Sequence, residues 1–136
     1  MLGFNFLNIV GTNSFVGNNS DIGLYGTWNT RTMIILEFEQ AEGDSVVAQA
    51  FERVNGKLNP IGYIGNNGTY GLYVIPNAEG AVKFIPFDTK NVGSDQQTSK
   101  FYVGDTTQCV VNDSKKGLIL NPNASLATEF YFFRML

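Results

Sequence analysis

Along most of the chain apolar residues recur at every second position, and turn-forming residues interrupt that alternation every 5 to 8 residues. A period of two over runs this short belongs to half-buried β-strands. Strands are therefore predicted at 3–10, 14–17, 24–27 and 33–39, at 46–54, 62–65, 71–75 and 82–87, and at 100–103, 108–111, 117–120 and 129–135. The intervening segments carry turn chemistry: Gly11-Thr12-Asn13, Asn18-Asn19-Ser20, Asn55-Gly56, Asn66-Asn67-Gly68 and Asn112-Asp113-Ser114. Asn and Gly tolerate positive φ, and an Asn or Asp side chain can bond its own backbone two residues on. The polar run 91–98 reads as the longest connector. Pro86 lacks a backbone donor, so its strand should present it at an edge or a bulge. No helix longer than a turn is expected.

This order of elements occurs three times. The windows Phe15–Leu36, Tyr63–Phe84 and Cys109–Phe130 align without a gap and start 48 and 46 residues apart. Four columns are identical: Asn18/Asn66/Asn112, Gly23/Gly71/Gly117, Leu24/Leu72/Leu118 and Asn29/Asn77/Asn123. Chance supplies fewer than about one such column in a window of this length. The 136 residues thus divide into repeats of about 1–43, 44–92 and 93–136 within one domain. A unit of four strands cannot bury its apolar face alone, so the three must share a core. A propeller uses four or more blades, whereas a closed threefold arrangement satisfies all units equally. The expected fold is all-β, about twelve strands, closing a six-stranded barrel capped by three hairpins. Its core layers should be Phe15/Tyr63/Cys109, Leu24/Leu72/Leu118, Ile34/Val82/Thr128 and Leu36/Phe84/Phe130.

An aromatic-apolar-x-Asn-turn-Gly-Leu pattern, followed about a dozen residues later by a Phe-bearing strand, resembles a β-trefoil subdomain. Residues 63–84 are most similar to fascin-like and agglutinin-like trefoil units, and the resemblance covers nearly the whole chain. It departs from the ricin type, because no Gln-x-Trp occurs in any unit and paired cysteines are missing. The ricin-type site residues therefore have no counterpart here.

Composition narrows the function. Apolar residues make up 43% and charged residues 15%, the balance of a folded chain. The net charge is −3, and among scattered basic residues only Lys115-Lys116 are adjacent, so nothing forms the basic stripe that nucleic acid, heparin-like polyanions or anionic membranes need. No apolar run approaches the ~18 residues of a transmembrane helix. The N-terminal MLGFNFLNIV lacks a basic flank and reads as a first strand, so a cytoplasmic or non-classically secreted protein is expected. Sequons occur at Asn18, Asn67, Asn112 and Asn123.

Catalysis finds little support. The chain has no His, which removes Ser-His and Cys-His nucleophile pairs and His metal ligands. No metal and no cofactor is expected, and the chain reads as a non-enzyme. The single Cys109 reads as a small buried hydrophobe. Glu37 and Glu39 share one face of a strand and read as a solvated edge. Gly62, Gly65, Gly68 and Gly71 lack the Lys-Ser/Thr of a phosphate loop and read as turn glycines.

Ligand contacts are sought among residues that alternate with inward ones. Leu24 and Leu72 point inward, so Tyr25 and Tyr73 should point outward; Tyr70 precedes Gly71, and Trp28 is the only tryptophan. Aromatic rings stack on the apolar faces of sugars, and amides bond hydroxyls in both senses. The candidate ligand-binding residues are Tyr25, Trp28, Asn29, Tyr73, Asn77 and Asn123. Each also has a structural reading: the Asn columns shape turns, and the aromatics cover the barrel. Two function classes follow. The first is a lectin-like carbohydrate-binding trefoil. The alternative is a protein-binding trefoil, such as a protease inhibitor or interaction module, acting through segments 91–98 and 55–59. Fascin-like cytoskeletal binding fits less well, because actin is acidic and so is this chain. The expected partner is a glycan or a protein.

Overall fold

The computed structural model describes residues 1–66, 71–94, 96–104 and 107–135. Twelve strands follow one another: β1 Gly3–Ile9, β2 Phe15–Asn19, β3 Gly23–Thr27 and β4 Ile35–Gln40; β5 Val46–Val54, β6 Lys57–Asn66, β7 Leu72–Ile75 and β8 Phe84–Gly93; β9 Gln96–Val103, β10 Cys109–Asp113, β11 Gly117–Asn121 and β12 Phe130–Arg134. Helical geometry among the described residues is limited to 3-10 turns at Ala78–Gly80 and Ala124–Leu126. None is long enough to cross a membrane.

Six strands, β1, β4, β5, β8, β9 and β12, hydrogen-bond in a closed ring, each antiparallel to its neighbours. Closure removes the bare edge that an open six-stranded sheet would expose. The other six form three hairpins in one common register, with Asn18 opposite Leu24, Asn66 opposite Leu72 and Asn112 opposite Leu118. A connecting bond also repeats. The carbonyls of Val16, Ile64 and Val110 accept from the N–H groups of Ile34, Val82 and Thr128 at 3.2, 2.9 and 3.0 Å.

The core follows the repeat. Leu24, Leu72 and Leu118 are buried, as are Leu36, Phe84 and Phe130. They meet around an apolar void of about 20 Å³, barely space for a water and without polar groups to hold one. Phe101 joins the aromatic side chains, with ring centroids 6.0 Å from Phe38, 5.6 Å from Phe84, 6.0 Å from Phe130 and 5.9 Å from Phe132. The buried polar residues Asn5, Thr98 and Ser99 sit in the ring strands with their bonds made. Asn5 Nδ2 donates to the Met1 and Gly3 carbonyls at 2.8 and 3.0 Å, and the Ser99 hydroxyl lies 2.8 Å from that of Thr89.

The expected layer Phe15/Tyr63/Cys109 is corrected. Phe15 and Tyr63 are only half-buried, and Val16, Ile64 and Val110, one residue further on, point inward instead. Phe15 packs outside the ring on Phe133, at 5.5 Å, and Phe133 is 45% exposed. Cys109 is buried, its thiol 3.3 Å from the Asn121 carbonyl, and burial raises its pKa. In the third layer Thr128 is half-buried rather than inward, and its hydroxyl accepts from the Asn112 N–H at 2.7 Å.

Two expected loops are strands. The run 91–98 lies mostly in β8 and β9, which reach past the ring as a hairpin arm, and β8 carries a register shift between Phe87 and Lys90. Pro86 precedes that shift, opposite Phe101. The segment 55–59 is a two-residue turn followed by β6. Asn55 (φ 51°) and Gly56 (φ 77°) both take the left-handed conformation that such a turn requires.

The glycine column marks where hairpins touch. Gly23 and Gly117 both have φ of 85°. A Cβ on Gly23 would strike the Leu72 carbonyl oxygen, and one on Gly117 that of Leu24. The bridge Gly71–Ile119 joins the remaining pair of hairpins. Gly117→Ala combines a left-handed backbone, which costs about 1–2 kcal/mol for an L-residue, with a backbone collision. A loss of about 2 kcal/mol or more in urea-unfolding stability is expected, without loss of two-state behaviour.

Candidate functional site

Tyr25 follows the inward-facing Leu24 and emerges where the first hairpin abuts the third. A Cβ on Gly117 would lie 3.4 Å from that of Tyr25. The ring is held rather than free. Its hydroxyl donates to Thr32 Oγ1 at 2.8 Å, and the Thr32 hydroxyl reaches Thr27 Oγ1 at 3.2 Å and the Asn29 carbonyl at 3.1 Å. Tyr25 is thus half-buried, not fully outward as its alternation with Leu24 implied.

Gly26 comes next, and the place its side chain would take is already filled by the buried Ile9. A Cβ there would come within 2.7 Å of Ile9 Cδ1 and 3.5 Å of Asn112 Oδ1. Beside it lies a cleft of about 180 Å³, lined by Thr12, Ser14, Ile22, Tyr25 and Gly26 from the first repeat and by Asn112, Asp113, Ser114 and Gly117 from the third. Its volume is below the roughly 300–1,000 Å³ of drug-sized sites, so it suits one small polar ring.

The polar wall is preorganised. Asp113 Oδ1 accepts from the N–H groups of Lys115 and Lys116 at 2.8 and 2.9 Å. These bonds, that of Lys115 first, hold its carboxyl below the ordinary aspartate range. A lowered pKa in the folded chain means that Asp113 stabilises the fold above the usual carboxylate pKa near 4, and that this contribution is lost as pH falls through the lower folded value. A ligand that uses the carboxylate should bind evenly from pH 7 to about 5 and weaken only below about 4, and a binding titration across that range tests this.

The sequence-derived candidates do not form one site. Tyr25 alone lines the cleft. Trp28, in the loop after β3, is 80% exposed and lies outside the lining. Asn29 uses its Oδ1 on the Arg31 N–H at 3.0 Å, and Asn123 its Oδ1 on the Ser125 N–H at 3.1 Å, so both shape local turns. Asn77 precedes the equivalent turn without a side-chain bond. These three asparagines occupy three separate loops, one per repeat. Tyr73 lies against Gly23, where a Cβ would sit 3.0 Å from its ring, as Tyr25 lies against Gly117. Tyr70, the turn residues Asn67 and Gly68 and the Asn67 sequon lie outside the described residues.

The column Asn18/Asn66/Asn112 is also corrected. These residues belong to β2, β6 and β10 rather than to hairpin tips, and none has positive φ; outside glycine, that conformation occurs among the described residues at Asn55 and Asp88. The Asn18 N–H is bound by the Thr32 carbonyl at 2.9 Å. Asn112, Asp113 and Ser114 are cleft residues that a turn reading overlooks. No signal within one repeat could have found them, because the cleft joins the first repeat to the third.

A second hollow, about 300 Å³, is lined by Glu42, Asp44, Ser45, Lys83, Ile85 and Gly104. It has no aromatic wall, and Lys83 Nζ already pairs with Glu42 Oε2 at 3.8 Å. Among the described residues no three His, Cys, Asp or Glu side chains gather in a metal-binding group. No protein-family profile matches the chain, and no characterised protein matches it in sequence.

Proposed function

We propose that this chain is a non-enzymatic, carbohydrate-binding protein of β-trefoil architecture, holding one sugar ring in the cleft between its first and third hairpins. The closed ring of six strands, with three hairpins in one register, supports the trefoil part of this reading. One observation carries the functional part: a tyrosine ring anchored through Thr32 lines the same small cleft as an anionic Asp113 and the Asn112 amide. A sugar presents an apolar face to such a ring and hydroxyls to both acceptor and amide. Side chains already fixed in place lose little entropy on binding.

A glycan array is the test, with the wild type beside Tyr25→Ala, Asp113→Ala and Trp28→Ala. Binding should disappear in the first two and persist in the third. Trp28→Ala should also change stability by no more than about 0.5 kcal/mol, because the residue is 80% exposed. Loss in Trp28→Ala with retention in Asp113→Ala would move the site to the loop after β3. An array that stays silent with folded protein favours a protein-binding reading. The exposed Phe133, 4.5 Å from Tyr131 and 5.5 Å from Phe15, gives that reading its surface.

A further inference from the structure

We propose that the outer face of the ring at β12, β1, β4 and β5 docks on the same face of a second copy of this chain, forming a two-fold dimer. Alternation sends Leu7, Phe38, Ala50 and Phe132 into the core and turns their strand neighbours outward. The solvent side of an antiparallel sheet is ordinarily polar. Here Phe4 and Phe6 leave β1 on that side, Phe51 leaves β5, Tyr131 and Phe133 leave β12, and Phe15 joins them from β2. None of the six is buried, and Phe133 is 45% exposed.

The six rings form one strip. Phe4 meets Phe51 edge-on at 5.4 Å, Phe6 stands directly opposite Phe133 in the register, and Phe133 reaches Tyr131 at 4.5 Å and Phe15 at 5.5 Å. Single exposed apolar residues need no explanation, but a continuous apolar strip marks an interaction surface. Aromatic residues with arginine among them are what interface centres concentrate.

The charges on this face indicate what covers it. Arg53 stands over the Phe6 ring, its Cζ 5.8 Å from the centroid, with Nη2 3.8 Å from the Met135 sulfur. It forms no ion pair among the described residues, and neither does Glu37, which lies opposite Phe4. Glu37 pairs in register with Gln49, and Arg53 is four residues further along that strand. The two charges therefore stand about 13 Å apart, too far to meet within one chain. A two-fold axis lying across the strip between them lays each charge on its opposite in the second copy and sets the rings of one chain on those of the other. Such a face is complementary to itself, as an isologous interface requires. A partner of one sign would leave either Arg53 or Glu37 unmet.

Sedimentation equilibrium of the full chain tests this. Interfaces of standard size hold with Kd from μM to pM, so at about 50 μM the wild type should sediment at twice the chain mass. Arg53→Glu and Glu37→Arg should each weaken the dimer by about 100-fold or more, because each sets like charges together twice. Mixed one to one, the two variants should recover the wild-type dimer, since every charged contact is again unlike. Phe133→Ser should weaken it by about 30-fold or more, the scale of a central interface residue. The charge variants leave the core untouched, so they keep the test open if Phe133→Ser folds poorly. A wild type that is monomeric at that concentration overturns the proposal. If that monomer floats with phosphatidylcholine vesicles and Phe133→Ser does not, the face belongs to a lipid surface instead. A dimer indifferent to both charge changes and to Phe133→Ser is built on another face and overturns it too. Dissociation in each charge variant without recovery on mixing contradicts the two-fold pairing.

Discussion

A chain cut after Thr128 does not fold. The eight residues removed contain β12, which closes the ring. It pairs with β1 at five positions, from Asn5–Arg134 to Ile9–Phe130, and with β9 at Phe130–Ser99 and Tyr131–Thr98. It also brings Phe130 and Phe132, both buried. Losing either ring costs about 3–5 kcal/mol by the usual measure of Phe→Ala, and two such losses rival the 5–15 kcal/mol of a whole domain. The cut also bares the β1 and β9 edges, which then invite pairing between chains. Circular dichroism should find no cooperative melt, and amide spectra should lose dispersion. A soluble truncation melting in one sharp transition is incompatible with the closed ring.

Phe101→Ala should be the most damaging single truncation, costing about 3–5 kcal/mol. Phe101 lies in β9, from the third repeat, yet its ring meets Phe38 of the first repeat, Phe84 of the second, and Phe130 and Phe132 of its own. Its removal therefore leaves a cavity bordered by all three repeats, which no single strand can move to fill. The packing around it is also unlike an oil drop, since Phe38 and Phe101 stack within 4° of parallel while Phe84 meets Phe101 edge-on at 65°. Urea denaturation should give a lower midpoint with an unchanged slope, because the surface exposed on unfolding is nearly the same. Tyr63→Ala, taken from the aromatic position once assigned to the core, should cost much less. A smaller loss for Phe101 than for Tyr63 would contradict the arrangement of layers.

The strand order was legible because ring strands have one face in the core and one outside, so apolar and polar residues alternate. β5, Val46–Val54, has the bounds that alternation predicts. Alternation fails where strands leave the ring. Asp88–Asn91 is exposed and polar at every position, so it reads as a loop, and Lys57–Pro60 is a short, largely exposed run that ends in a proline. The first core layer was misread for a different reason. Phe15 and Tyr63 are the larger residues, but size follows the ring-to-hairpin junction while the inward direction follows Val16, Ile64 and Val110. The cleft was less legible still. Tyr25 and Asp113 are far apart in sequence and belong to different repeats, so a search within one repeat cannot join them. They meet only in the folded chain, where the first and third hairpins abut.

The most direct test of this account is a crystal structure of the chain soaked with the sugar it binds best on the array. Density for a single ring is expected between Tyr25 and Asn112, with a hydroxyl on the Asp113 carboxylate. Sugar density at Trp28, or in the hollow by Lys83 and Glu42, with the cleft holding only water, would contradict it.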